Sequence, residues 1–598
     1  MGEPSPGTSP LSMRPPDDRL DSWKEIASYL SRDVTTVQRW EKREGMPVHR
    51  HQHDRMGSVY AFSSELDVWV QSRRLRLEEE EKERRAETRL DVDGDHAPRR
   101  IPRAGRWLVL GGVVVLALLA LTYVMIRSHA GGATQPKIKS LAVLPLKNLS
   151  GDPSQEYLAD GMTEAIIGRL SNIHDLRVIS RTSAMRFKDT QLSVPEIART
   201  LRVDALVEGS VIRQGSRVRV TAQLIRGSTD EHFWSETYDR ELRDALGLES
   251  EVAQSIARKV EVTATGEERA RLVAARHVAP EVYESYLKGQ FALQKSVTKA
   301  DIEESIRHFD EAIKRDPTFA PAYVGLAKAY DNLGTIYFGV PASEVRPKEI
   351  SAARKALELD PELADAHLLL ANVQQRQWQW AEAEAEYKRA LALNPRDAVA
   401  QTGFADWLLC QGRIDEALTW TQRARAHDPV AVSGLTIGWI LFNAHRYNEA
   451  IQEMRSVLEA KRDDPDALWA LGFPLIANGQ AQQAIPILEK VVSVSDRSPG
   501  SLELLATAYA RAGRRTEALR LINELKRRRQ TSYVPAGAFI NPYMGLGEYD
   551  QAFVWFERAY QEKSNILQFL KVHPFFDPVR NDPRFTDLVH RVGLDQAR

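Results

Sequence analysis

Six polar side chains fall within nine residues near the start of the chain: Thr35, Thr36, Gln38, Arg39, Lys42 and Arg43. Hydroxyl, amide, guanidinium and ammonium groups are the donors that reach base edges and phosphate oxygens of double-stranded DNA. Val34, Val37 and Trp40 lie among them at three-residue steps. One helix would therefore bury the apolar set and turn the polar set outward. Upstream, Ser22-Trp23-Lys24-Glu25 has capping-box spacing, and Trp23, Ile26, Ala27 and Leu30 mark the inner stripe of a short helix. Ser31-Arg32-Asp33 is a short turn between the two, the spacing of a helix–turn–helix. Gly45-Met46-Pro47 ends the second helix. Residues 48–62 read as a β-hairpin that carries Arg50, His51 and Arg55, and Leu66, Trp69 and Val70 form the packing face of a third helix.

Charge and composition bound the chemistry. Residues 19–77 hold eleven Lys and Arg against eight Asp and Glu, a balance of only +3. So weakly basic a monomer would bind DNA poorly, and a homodimer is expected when active. The whole chain has net charge −1, so any nucleic-acid site is local. Cys410 is the single cysteine, which excludes an intramolecular disulfide framework and cysteine-rich metal sites. His49, His51 and His53 alternate on one strand face, which suits zinc or copper but equally suits exposure to solvent or phosphate. The second reading is preferred, and no metal or cofactor is expected. The sequence contains no HExxH, GxSxG or glycine-rich phosphate loop, so no catalytic residue is assigned.

The string SWKEIASYLSRDVTTVQRWEKREGMPVHRH resembles the excisionase/MerR-type winged helix–turn–helix family. That resemblance implies that the helix bearing Thr35, Thr36, Gln38 and Arg39 enters the major groove. The wing around Arg50, His51 and Arg55 would then lie along phosphates or the minor groove.

Beyond this domain the chain reads as several parts. Residues 1–18 are rich in Pro, Ser and Gly and are expected to be disordered. Residues 78–105 form a charged linker. Residues 107–126, WLVLGGVVVLALLALTYVMI, carry no charge and are expected to form one transmembrane helix. Arg99, Arg100, Arg103 and Arg106 precede it, which places the N-terminus in the cytoplasm by the bias of basic residues. Residues 137–265 alternate strand and helix patterns: a strand in KSLAVLPL, a helix over 157–173, a capping box at Ser193–Glu196, a hairpin over 204–225, a strand at 232–239 and a helix over 249–263. SLAVLPLKNLSGDPSQEYLADGMTEAI and VDALVEGSVIRQGSRVRVTAQLI are similar to a TolB-like, FlgO-related α/β domain, which brings no catalytic residues. Asp160-Gly161 and Arg181-Thr182-Ser183 could line a cleft there, although helix starts and turns are the preferred reading.

Residues 280–562 repeat. Triplets spaced by four and three residues run from Ser305/Phe309/Ala312, Glu349/Ala353/Ala356, Ala383/Tyr387/Ala390 and Ala417/Thr421/Ala424 to Ala450/Met454/Val457, Ala484/Leu488/Val491, Ala518/Ile522/Leu525 and Ala552/Phe556/Ala559. Their starts lie 44, 34, 34, 33, 34, 34 and 34 residues apart, the period of tetratricopeptide helix pairs. Such pairs stack into an all-α solenoid, and resemblance to the tetratricopeptide family implies that the first helices line a concave face for a protein or peptide partner. His367, Asn372 and Gln374 are polar candidates on one such helix, and residues 563–598 form a C-terminal capping segment.

The expected fold class is multidomain: a small α+β winged helix–turn–helix, one transmembrane helix, an α/β TolB-like domain and an all-α repeat solenoid. The layout resembles CadC/ToxR-style membrane-anchored one-component regulators, which carry an OmpR-type winged helix in place of the one here. The resemblance implies a DNA-binding transcriptional regulator in the bacterial inner membrane, with extracytoplasmic domains that sense a protein, peptide or envelope signal. The alternative is an envelope scaffold acting through its repeats.

Overall fold

The computed structural model describes residues 19–70, except 21, 31, 45, 51–58, 64 and 68, and residues 137–595, except 262–264, 267, 269–277, 297 and 335–339. Two compact units divide at Gly131 and Gly132.

In the first unit, strand β1 (Arg19–Leu20) leads to helices α1 (Trp23–Tyr29) and α2 (Val34–Glu44), then to strands β2 (His49–Arg50) and β3 (Val59–Phe62). The strands form one antiparallel sheet in the order β1-β3-β2. Ser22 caps α1 by accepting from the Glu25 backbone N–H at 3.2 Å, satisfying a donor that the first turn leaves free. Ile26, Val37, Trp40, Val59, Ala61, Leu66 and Trp69 make the core, and the Trp40 and Trp69 rings lie 5.6 Å apart.

The second unit opens with a mixed sheet: β4 (Ser140–Val143), β5 (Lys147–Asn148), β6 (Arg177–Val178), β7 (Ala205–Gln214), β8 (Arg217–Arg226) and β9 (Glu231–Glu241). The order is β6-β4-β7-β8-β9, parallel on the β6 side and antiparallel from β7 onward, with β5 pairing β7. Along β8, Val218, Val220, Ala222 and Leu224 are buried while Arg217 and Arg219 face outward, so one sheet face carries the core. Gly215 turns the β7–β8 hairpin at φ +62°, a conformation that disfavours a side chain. Helices α3 (Glu156–Ser171), α4 (Arg181–Ala184), α5 (Val194–Leu201) and α6 (Ala245–Lys259) accompany the sheet, with both capping-box bonds formed at Ser193 and Glu196. Helix α6 starts four residues before the sequence expectation, because Ala245 and Leu248 are also buried.

Eight helix pairs follow: α7 (Pro280–Lys295) with α8 (Lys299–Arg315), α9 (Ala320–Leu333) with α10 (Ala342–Leu359), α11 (Ala364–Arg376) with α12 (Trp380–Leu393), and α13 (Ala398–Cys410) with α14 (Ile414–His427). Then come α15 (Gly434–Asn443) with α16 (Tyr447–Ala460), α17 (Pro465–Ala477) with α18 (Ala481–Val494), α19 (Pro499–Arg511) with α20 (Arg515–Arg528), and α21 (Ile540–Leu546) with α22 (Tyr549–Gln561). The sequence triplets sit on the second helix of each pair, and all but Val457 are buried. First helices touch the next first helix directly, whereas second helices reach the next pair through its first helix. The array therefore curves with its first helices inside, an all-α tetratricopeptide solenoid. Beyond it lie 3-10 turns at Asn565–Phe569 and Pro574–Val579 and helix α23 (Pro583–Arg591).

The expected transmembrane helix and the single-pass inner-membrane localisation are corrected, and nothing described supports the membrane as a partner. Among the described residues no helix is long and apolar enough to cross a membrane. The longest, α10 with 18 residues, carries Arg346, Lys348, Glu349, Arg354 and Lys355, and such charges are expensive in hydrocarbon. Residues 107–126 lie outside the described residues, as do 1–18 and the linker 78–105.

Candidate nucleic-acid interface and inner face of the repeats

Helix α2 is two-sided. Val37 is fully buried and Trp40 is 8% exposed, while Thr35 and Arg39 are exposed and Gln38 is half-buried. Thr36 has a second employment. Its backbone N–H and its hydroxyl donate to the Asp33 carboxylate at 2.8 and 2.7 Å, closing the start of the helix. Those bonds, the side-chain one first, hold the Asp33 carboxyl below the usual range. Of the sequence candidates, Thr35, Gln38 and Arg39 thus share a helix whose opposite face is fixed in the core. Lys42 and Arg43 lie on its last turns and Arg50 on β2. His51 and Arg55 lie outside the described residues.

His49 is engaged elsewhere. Its Nε2 lies 2.8 Å from Glu65 Oε2, and its ring stacks on Tyr60 at 5.1 Å. His51 and His53 lie outside the described residues, among which no group of three possible metal ligands occurs.

In the α/β domain, the residues that sequence placed at a possible cleft are packing and joining elements. Gly161 lies within α3, where an added Cβ would come 2.4 Å from a Leu287 methyl on α7. Asp160 accepts from Lys188 Nζ at 2.6 Å. Ser183 Oγ donates at 2.7 Å to Asp428, which lies just past α14, and Asp428 also accepts from the Ser180 backbone at 3.0 Å. The same buried carboxylate accepts from the Val430 and Ala431 backbones, so all its bonds go to the joint between domain and repeats. Arg177 adds a bond to the His427 carbonyl at 2.8 Å.

The inner face of the repeats departs from the sequence reading. His367 Nδ1 lies 2.5 Å from Glu386 on α12, and Asn372 accepts from the Tyr387 hydroxyl at 2.7 Å. Both therefore tie the helices of one pair together. Gln374 is buried, and its Oε1 has no hydrogen-bond partner. Across the ends of the first helices runs the chain's own segment 564–579, which sequence reasoning treated only as a cap. Phe569 meets the Trp439 ring edge-on at 5.4 Å. His573 lies 5.3 Å from Phe442, and Phe575 lies 5.8 Å from Phe442 and 6.1 Å from Phe473. Lys571 Nζ donates to the Gln411 carbonyl at 3.2 Å. Arg346 donates to the Lys563 carbonyl and to Asn565 Oδ1 at 3.2 and 2.9 Å. Trp380 Nε1 donates to the Val592 carbonyl at 2.8 Å, so the last residues return to the third pair. The run HPFF, with no helical period, was one signal that could have pointed here.

With this geometry in hand, the chain divides by likeness into two kinds of module. Residues 137–257 match the HilA/YgeH-like transcriptional regulator family, second domain, and residues 375–436 and 475–535 match the tetratricopeptide repeat family. The first match falls where a TolB-like domain was expected and carries a regulator description in its place. The molecule therefore joins a transcriptional-regulator-like domain to tetratricopeptide repeats. Among curated proteins, "Putative adenylate cyclase 3" of Rhizobium meliloti (strain 1021) is 36% identical over 192 residues, 32% of this chain and 32% of that protein. The type IV pilus assembly protein PilF of Pseudomonas aeruginosa is 44% identical over 64 residues, 11% of this chain and 25% of that protein. The chain thus spans a third or less of these relatives. A solved structure of Pseudomonas aeruginosa PilF is 22% identical, with a TM-score of 0.29 over 40% of this chain and 99% of that one.

Proposed function

We propose that the chain is a transcriptional regulator that binds double-stranded DNA as a homodimer and recruits a protein or peptide through its repeats. One observation carries the reading: α2 keeps Val37 and Trp40 in the core while Thr35 and Arg39 stand exposed on the same short helix. A helix fixed from behind and polar in front is what major-groove readout needs. The match of residues 137–257 to a regulator family supports it. Thr35, Gln38 and Arg39 would contact base edges, with Lys42, Arg43 and Arg50 on phosphates. His51 and Arg55 would extend that contact along the wing, and Thr36 would set the helix start.

Fluorescence anisotropy of the full chain on DNA selected from random sequence tests this. Arg39→Ala should weaken binding to the selected sequence by roughly 1–3 kcal/mol and spare unrelated DNA. Arg50→Ala should weaken both and flatten the salt dependence. If neither variant changes binding, the assignment is wrong.

A further inference from the structure

Two features of the repeats are unexplained by solenoid packing alone. The first is backbone strain. In the third to eighth pairs the turn between the two helices places a left-handed residue at the same register position, and glycine fills it at Gly412 (φ +80°), Gly479 (+75°), Gly513 (+77°) and Gly547 (+73°). Trp378 (+65°) and His445 (+61°) occupy that position in the third and fifth pairs. A bulky side chain is disfavoured there, so another contact must compensate. Both side chains meet the end of the chain. Trp378 stacks on Tyr560 at 5.2 Å with Lys563 over its ring at 5.6 Å, and His445 Nδ1 lies 3.6 Å from Asp577.

The second feature is polar groups left over. With segment 564–579 seated, both atoms of the Gln411 side-chain amide, Asn443 Oδ1 and His573 Nε2 are buried without a hydrogen-bond partner. Gln411 follows α13, Asn443 is the last residue of α15, and His573 lies against the ring of Phe442, the residue before Asn443. Leaving such groups unpaired is unfavourable, so this occupant fits the rings of the face better than its amides. Arg580 meanwhile holds the segment's own backbone, donating to the carbonyls of Leu570, Lys571 and His573 at 3.0, 2.7 and 3.2 Å. The segment is therefore shaped as a unit.

We propose that residues 564–579 are a displaceable internal ligand of the repeats, and that the partner enters by replacing them with a segment of the same chemistry. That segment carries aromatic rings beside a proline for the Trp439, Phe442 and Phe473 box, a basic residue for the Gln411 carbonyl, and free backbone groups for the Gln411 and Asn443 amides. The inference deepens the reading that the repeats recruit a protein, and it makes recruitment conditional on release of the chain's own end.

The test uses the full chain, without DNA, and a fluorescein-labelled synthetic peptide of residues 564–580 as probe. A Phe569→Ala, Phe575→Ala variant, which loosens the internal segment, should bind the peptide at least about tenfold more tightly than the unsubstituted chain, because a tethered competitor acts at roughly millimolar effective concentration. Adding Trp439→Ala should remove that binding. Equal affinity of the unsubstituted and loosened chains would overturn the proposal. If the loosened variant does not fold, hydrogen exchange on the unsubstituted chain decides. Amides of 567–579 should exchange at least about tenfold faster than those of α19, since a releasable segment opens below the global unfolding free energy. Exchange at the α19 rate would make the segment a permanent part of the core and refute displacement. A chain that binds the peptide but no DNA would keep this inference and overturn the regulator reading.

Discussion

The two ends of the repeat array are closed by different chemistry. At the front, α7 meets the α/β domain through ionisable groups. Tyr283 donates its hydroxyl to the buried Glu249 carboxylate, with Arg169 Nε at 3.8 Å, and Arg213 pairs with Glu284 while donating to Tyr157 at 2.8 Å. At the rear, the inner face is closed mainly by rings. Buried charges are harmful without closely matched partners, so the front is a fixed joint that few other surfaces could satisfy. Ring contacts tolerate a change of partner, and their strength scales chiefly with area. One repeat architecture therefore carries a permanent attachment at one end and an exchangeable one at the other.

That contrast can be broken by substitution. Trp439→Ala should have the largest effect: the half-buried ring meets Phe442, Phe473, Phe569 and His573, and truncating a Trp so packed removes about 3 kcal/mol. Thermal unfolding should shift, and protease should cut 564–580 well before the α/β domain. Gly161→Val should act at the front, forcing a side chain against Leu287 and destabilising by roughly 1–3 kcal/mol. Its loosening, followed by hydrogen exchange, should centre on α3 and α7 and spare the rear. Asp428→Ala should act at the second joint, where Ser183 and backbone N–H groups lose their acceptor, for about 1–3 kcal/mol. An unchanged melting temperature would show that joint to be loose in solution.

The smallest effect, and the sharpest in sign, is on pH. Burial raises the Glu249 carboxyl to about 7, against the opposing influence of Arg169 and the Tyr283 bond and with the help of Glu164. The folded joint thus favours the protonated acid, and its stabilisation is lost as pH rises from the ordinary value near 4.5 through 7. Burial, then Arg580 and His445, lowers His573 to about 3. The seated segment thus favours neutral imidazole, and its stabilisation is lost as pH falls below about 6.5. Raising the pH from about 4.5 through 7 should loosen the front, and lowering it below about 6.5 should loosen the rear, read as hydrogen exchange in α6–α7 and in 567–579. Glu249→Gln should flatten only the first profile, and loss of both profiles together would contradict separate closures.

Much of this contrast was not legible in the sequence. The second helices were, because Ala383/Tyr387/Ala390 and their equivalents recur with a fixed packing role. The β7–β8 hairpin was, because Val218 to Leu224 alternate. The cap at Ser193–Glu196 followed from local chemistry, whereas the start of α6 did not, since it is set by the burial of Ala245 and Leu248. The inner face did not, since polarity alone selected His367 and Asn372, and both turn toward the second helix of their own pair. Nothing local distinguishes a polar residue facing a groove from one that bonds Tyr387. The rear closure joins residues such as Trp380 and Val592, more than two hundred positions apart. Its trace in the sequence is indirect: a tryptophan and a histidine where the repeat asks for glycine. At α2, the burial of Trp40 followed from spacing, whereas the bond of Thr36 to Asp33 depended on a rotamer.

The account turns on whether α2 reads DNA. Crosslinking of the full chain to chromosomal DNA in cells, followed by sequencing, tests it most directly, with Arg39→Ala run in parallel. Enrichment at discrete promoter sites that collapses in the variant is the result expected. Uniform background for the unsubstituted chain, or sites indifferent to Arg39, would contradict it.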